Sequence, residues 1–459
     1  MKDKRIVVLL KYFKGDLNPF DGAALECALE TGAREIIAVT MAPMSAINAF
    51  QSLTRLGVKG IFISDPLYAG SDTQATALVL AEALKRLRPD FVFCGRQSVD
   101  GDTAQVPPML AQRLGFAIRP KVIEFDSKRI TLRSGETFAP KEKTVLTFEK
   151  IKTLRFPSIF SKLGEVEVWD NSKLQIAQEK CGLKGSPTRV FKSYESSVGR
   201  RNCQFVGMEI LDALIQKGLQ KQRVEQSQDA TQKLNEIYFV GDVKGVAERI
   251  AKRAIELKVD GKSAEALAQE LQENNVKTVL WEDSEAYKIL ASQVAVLTAA
   301  GICADCISFY VHNGKLVMTR PALGGNVTAD ILCESELAFA TVRTAQKEGA
   351  DVIFSVGKGA VGELDNIKRL AQKYNAEISC SRVVADSGKL PYEKQVGLTG
   401  RTVCPKVYVA FGISGAVQHT CAIAGAGTVI AVNTDKQARI FDYADYGIVD
   451  DVKNITIGE

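Results

Sequence analysis

Short apolar runs alternate with helix-periodic stretches through the first hundred residues, and no other feature of the chain restricts its fold as strongly. Residues 6–10, 35–39 and 60–63 are apolar, and 23–31 and 46–55 carry helical spacing between them. Strands and helices that alternate in this way build a parallel sheet with covered faces. Ser71-Asp72-Thr73 can cap the next helix, whose apolar stripe is Ala77, Leu80, Ala81 and Leu84, with Lys85, Arg86 and Arg88 toward its C-terminal end and Pro89 beyond. A strand over 91–94 follows. From 122 to 168 the apolar runs are shorter and more β-branched, and 189–226 is polar and weakly periodic, which reads as an arm or linker. A second α/β region begins near Ile237, with helices expected over 246–258 and 264–274 and a strand over 278–281. A third runs from Asp351, with strands over 352–356, 377–379, 407–411 and 428–432. At 459 residues the chain has room for several domains of about 100–200 residues each. The expected class is α/β, built on parallel sheets and ending in a C-terminal Rossmann-like domain.

Composition removes competing classes. Lys and Arg number 59 against 54 Asp and Glu, a net charge of +5 without charge blocks, which argues against a nucleic-acid partner. The ten cysteines are irregularly spaced and read as reduced core thiols rather than a disulfide framework. The longest apolar stretch, 290–311, is interrupted by Gln293 and Asp305, so no membrane span is expected. The N-terminus lacks a small-residue cleavage site and reads as a first strand. The cytoplasm is the default location.

Several segments could carry chemistry. The loop Gly95, Arg96, Gln97, Ser98, Val99, Asp100, Gly101, Asp102, Thr103, Ala104, Gln105 joins a strand to a helix near Pro107. Such a loop can present N–H groups and a helix dipole to a phosphate; equally, Asp102 or Thr103 can cap the helix in the ordinary way, and two carboxylates favour the cap. Gly357-Lys358-Gly359-Ala360-Val361-Gly362 matches G-x-G-x-x-G between a strand and a helix, with Glu377 about 20 residues on, where an acid would meet a ribose. It reads either as NAD binding or as a glycine-rich turn. Past it lie Ser381-Arg382, the run Val396, Gly397, Leu398, Thr399, Gly400, the run from Gly412 through Ser414, Gly415, Ala416, Val417, Gln418 and His419, and Asn433. Each follows an apolar strand, at the edge where open α/β sheets bind ligands. An Arg and a His beside a redox ring would stabilise the negative charge gained on reduction, the His less so as its imidazole deprotonates. Cys303-Ala304-Asp305-Cys306 is a lone C-x-x-C near His312, a weak metal signal, and is expected to be buried thiols.

At these residues the chain resembles the electron transfer flavoproteins, with a β-subunit-like part first and an α-subunit-like part second. Asn18-Pro19-Phe20-Asp21, residues 69–76, Gly95 to Gln105 and 183–188 resemble the β subunit; 320–326, Ser381-Arg382, 395–400, 413–419 and 444–449 resemble the α subunit. The resemblance implies FAD at Lys358, Ser381, Arg382, Val396, Gly397, Leu398, Thr399, Ser414 to His419, Asn433 and Asp451. It implies AMP, or a second FAD, at Asn18, Asp21, Gly95, Gln97, Asp100, Gly101, Asp102, Thr103 and Gln105. The form Asp-Gly-Asp-Thr-Ala-Gln at 100–105 resembles the electron-bifurcating members, which would oxidise NADH. The implied partners are an acyl-CoA dehydrogenase-like or other flavoprotein and a quinone-linked acceptor, with docking at 155–160 or, alternatively, a buried turn there. No residue is assigned to bond-making catalysis or to a metal. Three departures stand out: Lys358 for a usual Arg, Leu398 for a usual Gln, and Pro107 for a usual Gly, which deletes an N–H. They motivate a second reading, a degenerate nucleotide-binding or interaction protein that has lost one or both flavins. The expected domains are 1–190 (β-like), 191–235 (linker or arm), 236–345 (a shortened α-like N-terminal domain) and 346–459 (FAD-binding).

Overall fold

The strand Arg5–Leu10 is buried from its second residue onward and sits inside a nine-stranded sheet. In sheet order the strands are Val166–Trp169, Lys59–Ile63, Glu35–Met41, Arg5–Leu10, Phe91–Gly95, Thr144–Phe148, Ala117–Phe125, Ile130–Leu132 and Thr137–Phe138. All pairs are parallel until the last two strands, which are antiparallel. Chain order along the first half therefore runs outward from Arg5–Leu10 on one side and resumes with Phe91–Gly95 on the other. The computed structural model describes residues 1–126, 128–195, 199–220, 232–325, 327–343 and 350–455. Asn326, one of the residues carrying the α-like resemblance, lies outside them, as do 221–231 of the expected arm.

Two compact units are formed. The first takes in Met1–Ser193, Ala230–Leu323 and Ala329–Val342, and adds a second parallel sheet in the order Ala251–Glu256, Leu234–Val240, Thr278–Glu282, Ala338–Val342, Gly301–Cys306. The helix expected over 246–258 ends early. Residues Lys244–Ile250 are helical, and Ala251–Glu256 is an edge strand paired to Leu234–Val240. Tertiary pairing overrides the helix-forming composition there, and Lys252 and Arg253 on that edge discourage further pairing. One apolar core joins the two sheets through the helices Thr73–Leu87 and Val106–Leu114 on one side and Ala264–Glu273 and Glu285–Thr298 on the other. Gln74 crosses this seam. Its Nε2 donates to the Ala295 and Ala300 carbonyls at 2.7 and 3.1 Å, and its Oε1 accepts from Arg113 at 2.8 Å.

The second unit takes in Tyr194–Asp229, Gly324–Thr328 and Arg343–Glu459. Its sheet runs Gln204–Val206, Tyr446–Ile448, Thr428–Val432, Val407–Phe411, Val352–Val356, Glu377–Cys380, with every described pair parallel. Counting from Val352–Val356, this is the doubly wound order 2-1-3-4-5. The stretch read as an arm contributes the edge strand Gln204–Val206 and the helix Leu211–Leu219, whose Leu211, Leu214 and Ile215 are buried in this unit's core. Among the described residues no helix is long and apolar enough to cross a membrane. The ten cysteines are all free, and burial pushes the Cys306 thiol well up.

Replacing Gln74 by Leu leaves two carbonyls and a guanidinium in the seam without their partner. A loss of about 1–3 kcal/mol per buried group left unsatisfied is expected, read as a fall in the urea midpoint; an unchanged midpoint would show that water satisfies the seam.

Candidate functional site

Each unit has a point where its strand order reverses. In the first, the loops leaving Arg5–Leu10 and Phe91–Gly95 diverge and open a cavity of about 780 Å³. Leu9, Val39, Met41, Ile63 and Leu80 line an apolar side, and residues from the 95–105 loop line a polar one. Asp21 ties the two strand ends together: its Oδ1 accepts the Gly95 N–H at 2.8 Å and its Oδ2 the Lys11 N–H at 2.7 Å. Gly95 is required there, because a Cβ would collide with Oδ1 of Asp21. Burial raises the Asp21 pKa to about 7 against the pull of those N–H groups.

The loop is braced from within. Asn18 Nδ2 donates to the Gln97 carbonyl at 2.9 Å, Gln97 Nε2 donates to Asp102 at 2.8 Å, and Lys11 pairs with Asp100 at 2.8 Å. Asn18, Asp21, Gly95, Gln97, Gly101, Thr103 and Gln105 stand on the cavity wall, and Asp100 and Asp102 brace the loop. Both acids expected to repel a phosphate are thus engaged. Asp102 and Ala104 adopt φ of +50° and +55°, which costs about 1–2 kcal/mol at Ala104; strain of this kind collects at ligand loops. Two amides on the wall keep a free polar atom while 3% exposed, the Asn18 Oδ1 acceptor and the Gln105 Nε2 donor. A ligand with one donor and one acceptor completes both.

Neither Asp102 nor Thr103 caps the next helix. Val106–Leu114 starts after Gln105 without a side-chain cap, and Pro107 and Pro108 are its second and third residues. Helix formation loses nothing, since those N–H groups have no intrahelical partner. For a phosphate the loss is real: Val106 alone among the first three helical residues has an N–H to offer, so an anion must be held by the loop.

In the second unit the reversal falls between Val352–Val356 and Val407–Phe411. The glycines of the G-x-G-x-x-G pack loop on loop: Gly359 N–H donates to the Gly412 carbonyl at 3.2 Å, and a Cβ on Gly357 would collide with that carbonyl. Lys358 is exposed. Glu377 opens its strand, at the end away from these loops, and holds Lys394 at 3.0 Å and Arg401 at 2.7 Å. Burial raises its pKa, but the two cations prevail and keep it below its ordinary value. It is no ribose ligand, and the NAD reading of this motif falls with it.

The segment after Lys394 stitches the loops together. Val396 N–H donates to the Cys380 carbonyl at 2.9 Å, Gly397 N–H to Arg401 at 3.1 Å and Leu398 N–H to Gln418 at 2.7 Å; Gln395 Nε2 donates to Thr399 at 2.8 Å. Ser381 N–H donates to the Val356 carbonyl at 3.0 Å, and Arg382 pairs with Asp386 at 3.3 Å. Ser381, 396–399 and 417–419 therefore share one edge. Ser414 accepts the Ile440 N–H at 3.2 Å, and Gly415 has φ of +84° where a Cβ would strike Ile440. Asn433 braces this loop by donating to the Ile413 carbonyl at 2.9 Å. Asp451 caps the turn Val452–Asn454 and pairs with Lys453.

His419 is 6% exposed, its Nε2 is 2.7 Å from the Tyr408 hydroxyl, and its Nδ1 has no hydrogen-bond partner. Burial lowers its pKa to about 4, so the ring is already neutral near pH 7, and the expected fading of its influence around neutral pH does not apply. The sequence reading passed over Tyr408 and Arg343, whose guanidinium reaches the Leu398 carbonyl at 3.4 Å. The signal for Tyr408 was a hydroxyl inside an otherwise apolar strand. In the first unit Arg155 grips Glu26 through Nε and its backbone N–H, both at 2.9 Å. Beyond it Phe156, Ile159 and Phe160 are 94, 84 and 86% exposed, which removes the buried-turn alternative.

Two switch points, each followed by strand-end loops, define a protein of the doubly wound nucleotide-binding class. Residues 347–424 match the electron transfer flavoprotein FAD-binding domain, and 6–139 with 245–366 match the electron transfer flavoprotein domain. The chain belongs to the electron transfer flavoprotein family and contains β-like and α-like parts. It is 32% identical over 235 residues to electron transfer flavoprotein subunit alpha of Thermoanaerobacterium thermosaccharolyticum, covering 41% of this chain and 71% of that one. It is 33% identical over 201 residues to electron transfer flavoprotein subunit beta of Clostridium acetobutylicum, covering 40% and 76%. It is 35% identical over 208 residues to the acryloyl-CoA reductase electron transfer subunit beta of Anaerotignum propionicum, covering 34% and 57%.

Asp21 makes the fold pH-sensitive in a defined direction. Its raised pKa means that the folded state keeps a proton between about pH 4 and 7 that the unfolded state releases, so this carboxyl costs stability as pH rises through that window. Asp21→Asn cannot titrate and can accept only one of the two N–H groups. It should be less stable than the parent at pH 4.5, by urea titration, with the gap shrinking toward pH 7.5; a gap that widens would reject the assignment.

Proposed function

We propose that the chain is an electron carrier on one polypeptide, with FAD in the second unit, taking electrons from a dehydrogenase or NADH and passing them to a partner flavoprotein or a quinone-linked acceptor. The observation that carries this reading is the convergence of Ser381-Arg382, 396–399 and 414–419 on one switch-point edge, inside the segment that matches the FAD-binding domain. The unpartnered, buried Nδ1 of His419 fits a ligand at that edge. FAD supplies a ring that accepts electrons and gains negative charge; Arg382 would bring a positive charge, and His419 a neutral polar group. The partners Lys358, Asn433 and Asp451 would complete the site from adjoining loops.

In the first unit the cavity suits an adenine nucleotide, as AMP or within a second FAD. Its volume falls within the range of about 300–1,000 Å³ usual for such ligands, and Asn18 and Gln105 offer the unused acceptor and donor. A second FAD there would serve bifurcation with oxidation of NADH. The two prolines at the helix start favour a second reading in which this cavity has lost its nucleotide. Heat release of nucleotides from the purified chain decides: one FAD with one AMP, or two FAD, supports the carrier readings, one FAD alone the second, and a colourless protein that takes up no FAD rejects both.

Arg382→Ala should lower the potential of the bound flavin, with about 59 mV for each tenfold change in a one-electron equilibrium, because a fixed cation favours the reduced forms. An unchanged potential with weakened FAD binding would make Arg382 a holding residue only. The exposed Phe156, Ile159 and Phe160 suit docking of an acyl-CoA dehydrogenase-like flavoprotein. Ile159→Ala should slow electron transfer to that partner about tenfold or more, as removal of a hot-spot anchor does, with flavin content unchanged; an unaltered rate would place docking elsewhere.

A further inference from the structure

The strand Lys315–Ala322 carries a cation into the interior of the first unit. Leu316, Met318 and Arg320 alternate onto one of its faces, and all three are buried, Arg320 at 7% exposed. The Arg320 Nη1 donates to the Gly101 carbonyl at 2.7 Å, and three residues on, the Leu323 N–H donates to the Asp100 carbonyl at 3.1 Å. The strand end thus grips the 95–105 loop at Gly101, which stands on the wall of the first cavity. The other edge of the guanidinium is unused: Nε and Nη2 are buried and have no hydrogen-bond partner among the described residues. Neighbouring acids are engaged elsewhere. Asp330, on the adjacent strand, accepts from Thr319 at 2.7 Å and Tyr310 at 2.9 Å, and Asp100 pairs with Lys11 at 2.8 Å. The Cys306 thiol, which the charge of Arg320 reaches, is kept protonated by burial.

We propose that Arg320 is an oxyanion subsite adjoining the first cavity, and that it takes a phosphate, either that of a nucleotide in the cavity or inorganic phosphate. A buried guanidinium is ordinarily paired, and its Nε–Nη2 edge is the fork that takes two oxygens of one anion in parallel. The cavity lacks such a charge of its own. Of the cations on its wall, Lys11 is neutralised by Asp100 and Arg96 faces Glu149 at 3.6 Å, and Pro107 and Pro108 remove N–H groups from the helix start that would otherwise offset a phosphate. The source of the phosphate rests on the nucleotide reading of this cavity; the empty fork does not.

Calorimetric titration of the full-length chain, dialysed free of nucleotide, with inorganic phosphate, AMP and adenosine tests this. Inorganic phosphate should bind the parent about tenfold or more tightly than it binds Arg320→Gln, the margin of a charge-assisted pair. Arg320→Lys keeps the charge without the fork; it should also bind phosphate more weakly than the parent, and it serves if the Gln variant does not fold. Where the phosphate of the nucleotide itself sits on the fork, AMP should bind the parent more tightly than adenosine, lose that margin in the variants and exclude inorganic phosphate. Where a separate ion sits there, inorganic phosphate should bind beside saturating AMP. Both of these outcomes support the subsite. Phosphate and AMP that bind the variants as tightly as the parent, or a parent that binds neither, overturn it. A parent that binds phosphate through Arg320 but takes up neither AMP nor adenosine would sink the nucleotide reading of the cavity and leave the subsite standing.

Discussion

Strands that all run the same way must be joined by crossovers, so every loop that follows a strand emerges at one edge of its sheet. Both switch points of this protein depend on that constraint. Where the strand order reverses, neighbouring loops part in opposite directions, and something must hold the two strand ends at a fixed spacing. In the first unit it is a single buried carboxylate, Asp21, bonded to N–H groups on Lys11 and Gly95. In the second it is the backbone: Gly357 and Gly412 meet without side chains, and Val396 and Leu398 close on Cys380 and Gln418.

Burial acts on both sites through charge. Asp21 is pushed up toward neutrality and His419 is pushed down to it, the same desolvation acting on groups of opposite sign. The consequence differs. A carboxyl near its midpoint at neutral pH still accepts N–H bonds as a structural tie, whereas an imidazole held neutral keeps one donor and one acceptor whose placement is decided by its neighbours.

The strands at 352–356, 407–411 and 428–432 were legible to the residue because each is a short apolar run with no competing period. Loops that follow such strands were legible for the same reason, and they carry most of the candidate residues. Ala251–Glu256 was not legible, because its Lys, Arg and Glu belong equally to a helix, and pairing with Leu234–Val240 settles it. The start of Val106–Leu114 misled for a related reason. Asp102 and Thr103 are good capping residues, but left-handed turns at Asp102 and Ala104 carry the loop past them. Glu377 has the spacing of a ribose acid and the wrong end of the strand. Tyr408 was overlooked because an aromatic residue in a buried strand is usually there for its bulk, and only the position of His419 reveals its hydroxyl as a partner.

The two units are threaded rather than strung. The chain leaves the first unit after Ser193, returns near Ala230, leaves again for Gly324–Thr328 and comes back for Ala329–Val342 before finishing in the second. Synthesis from the N-terminus therefore makes the helix Leu211–Leu219 about two hundred residues before the strand Val407–Phe411 that covers its apolar face exists. At roughly 5–20 residues per second, Leu211, Leu214 and Ile215 wait on the order of ten to forty seconds on the ribosome without their core. The nascent second unit is in that interval a client for whatever shields apolar helices in the cell, and a genetic split of this chain into two polypeptides would have to choose which unit to interrupt.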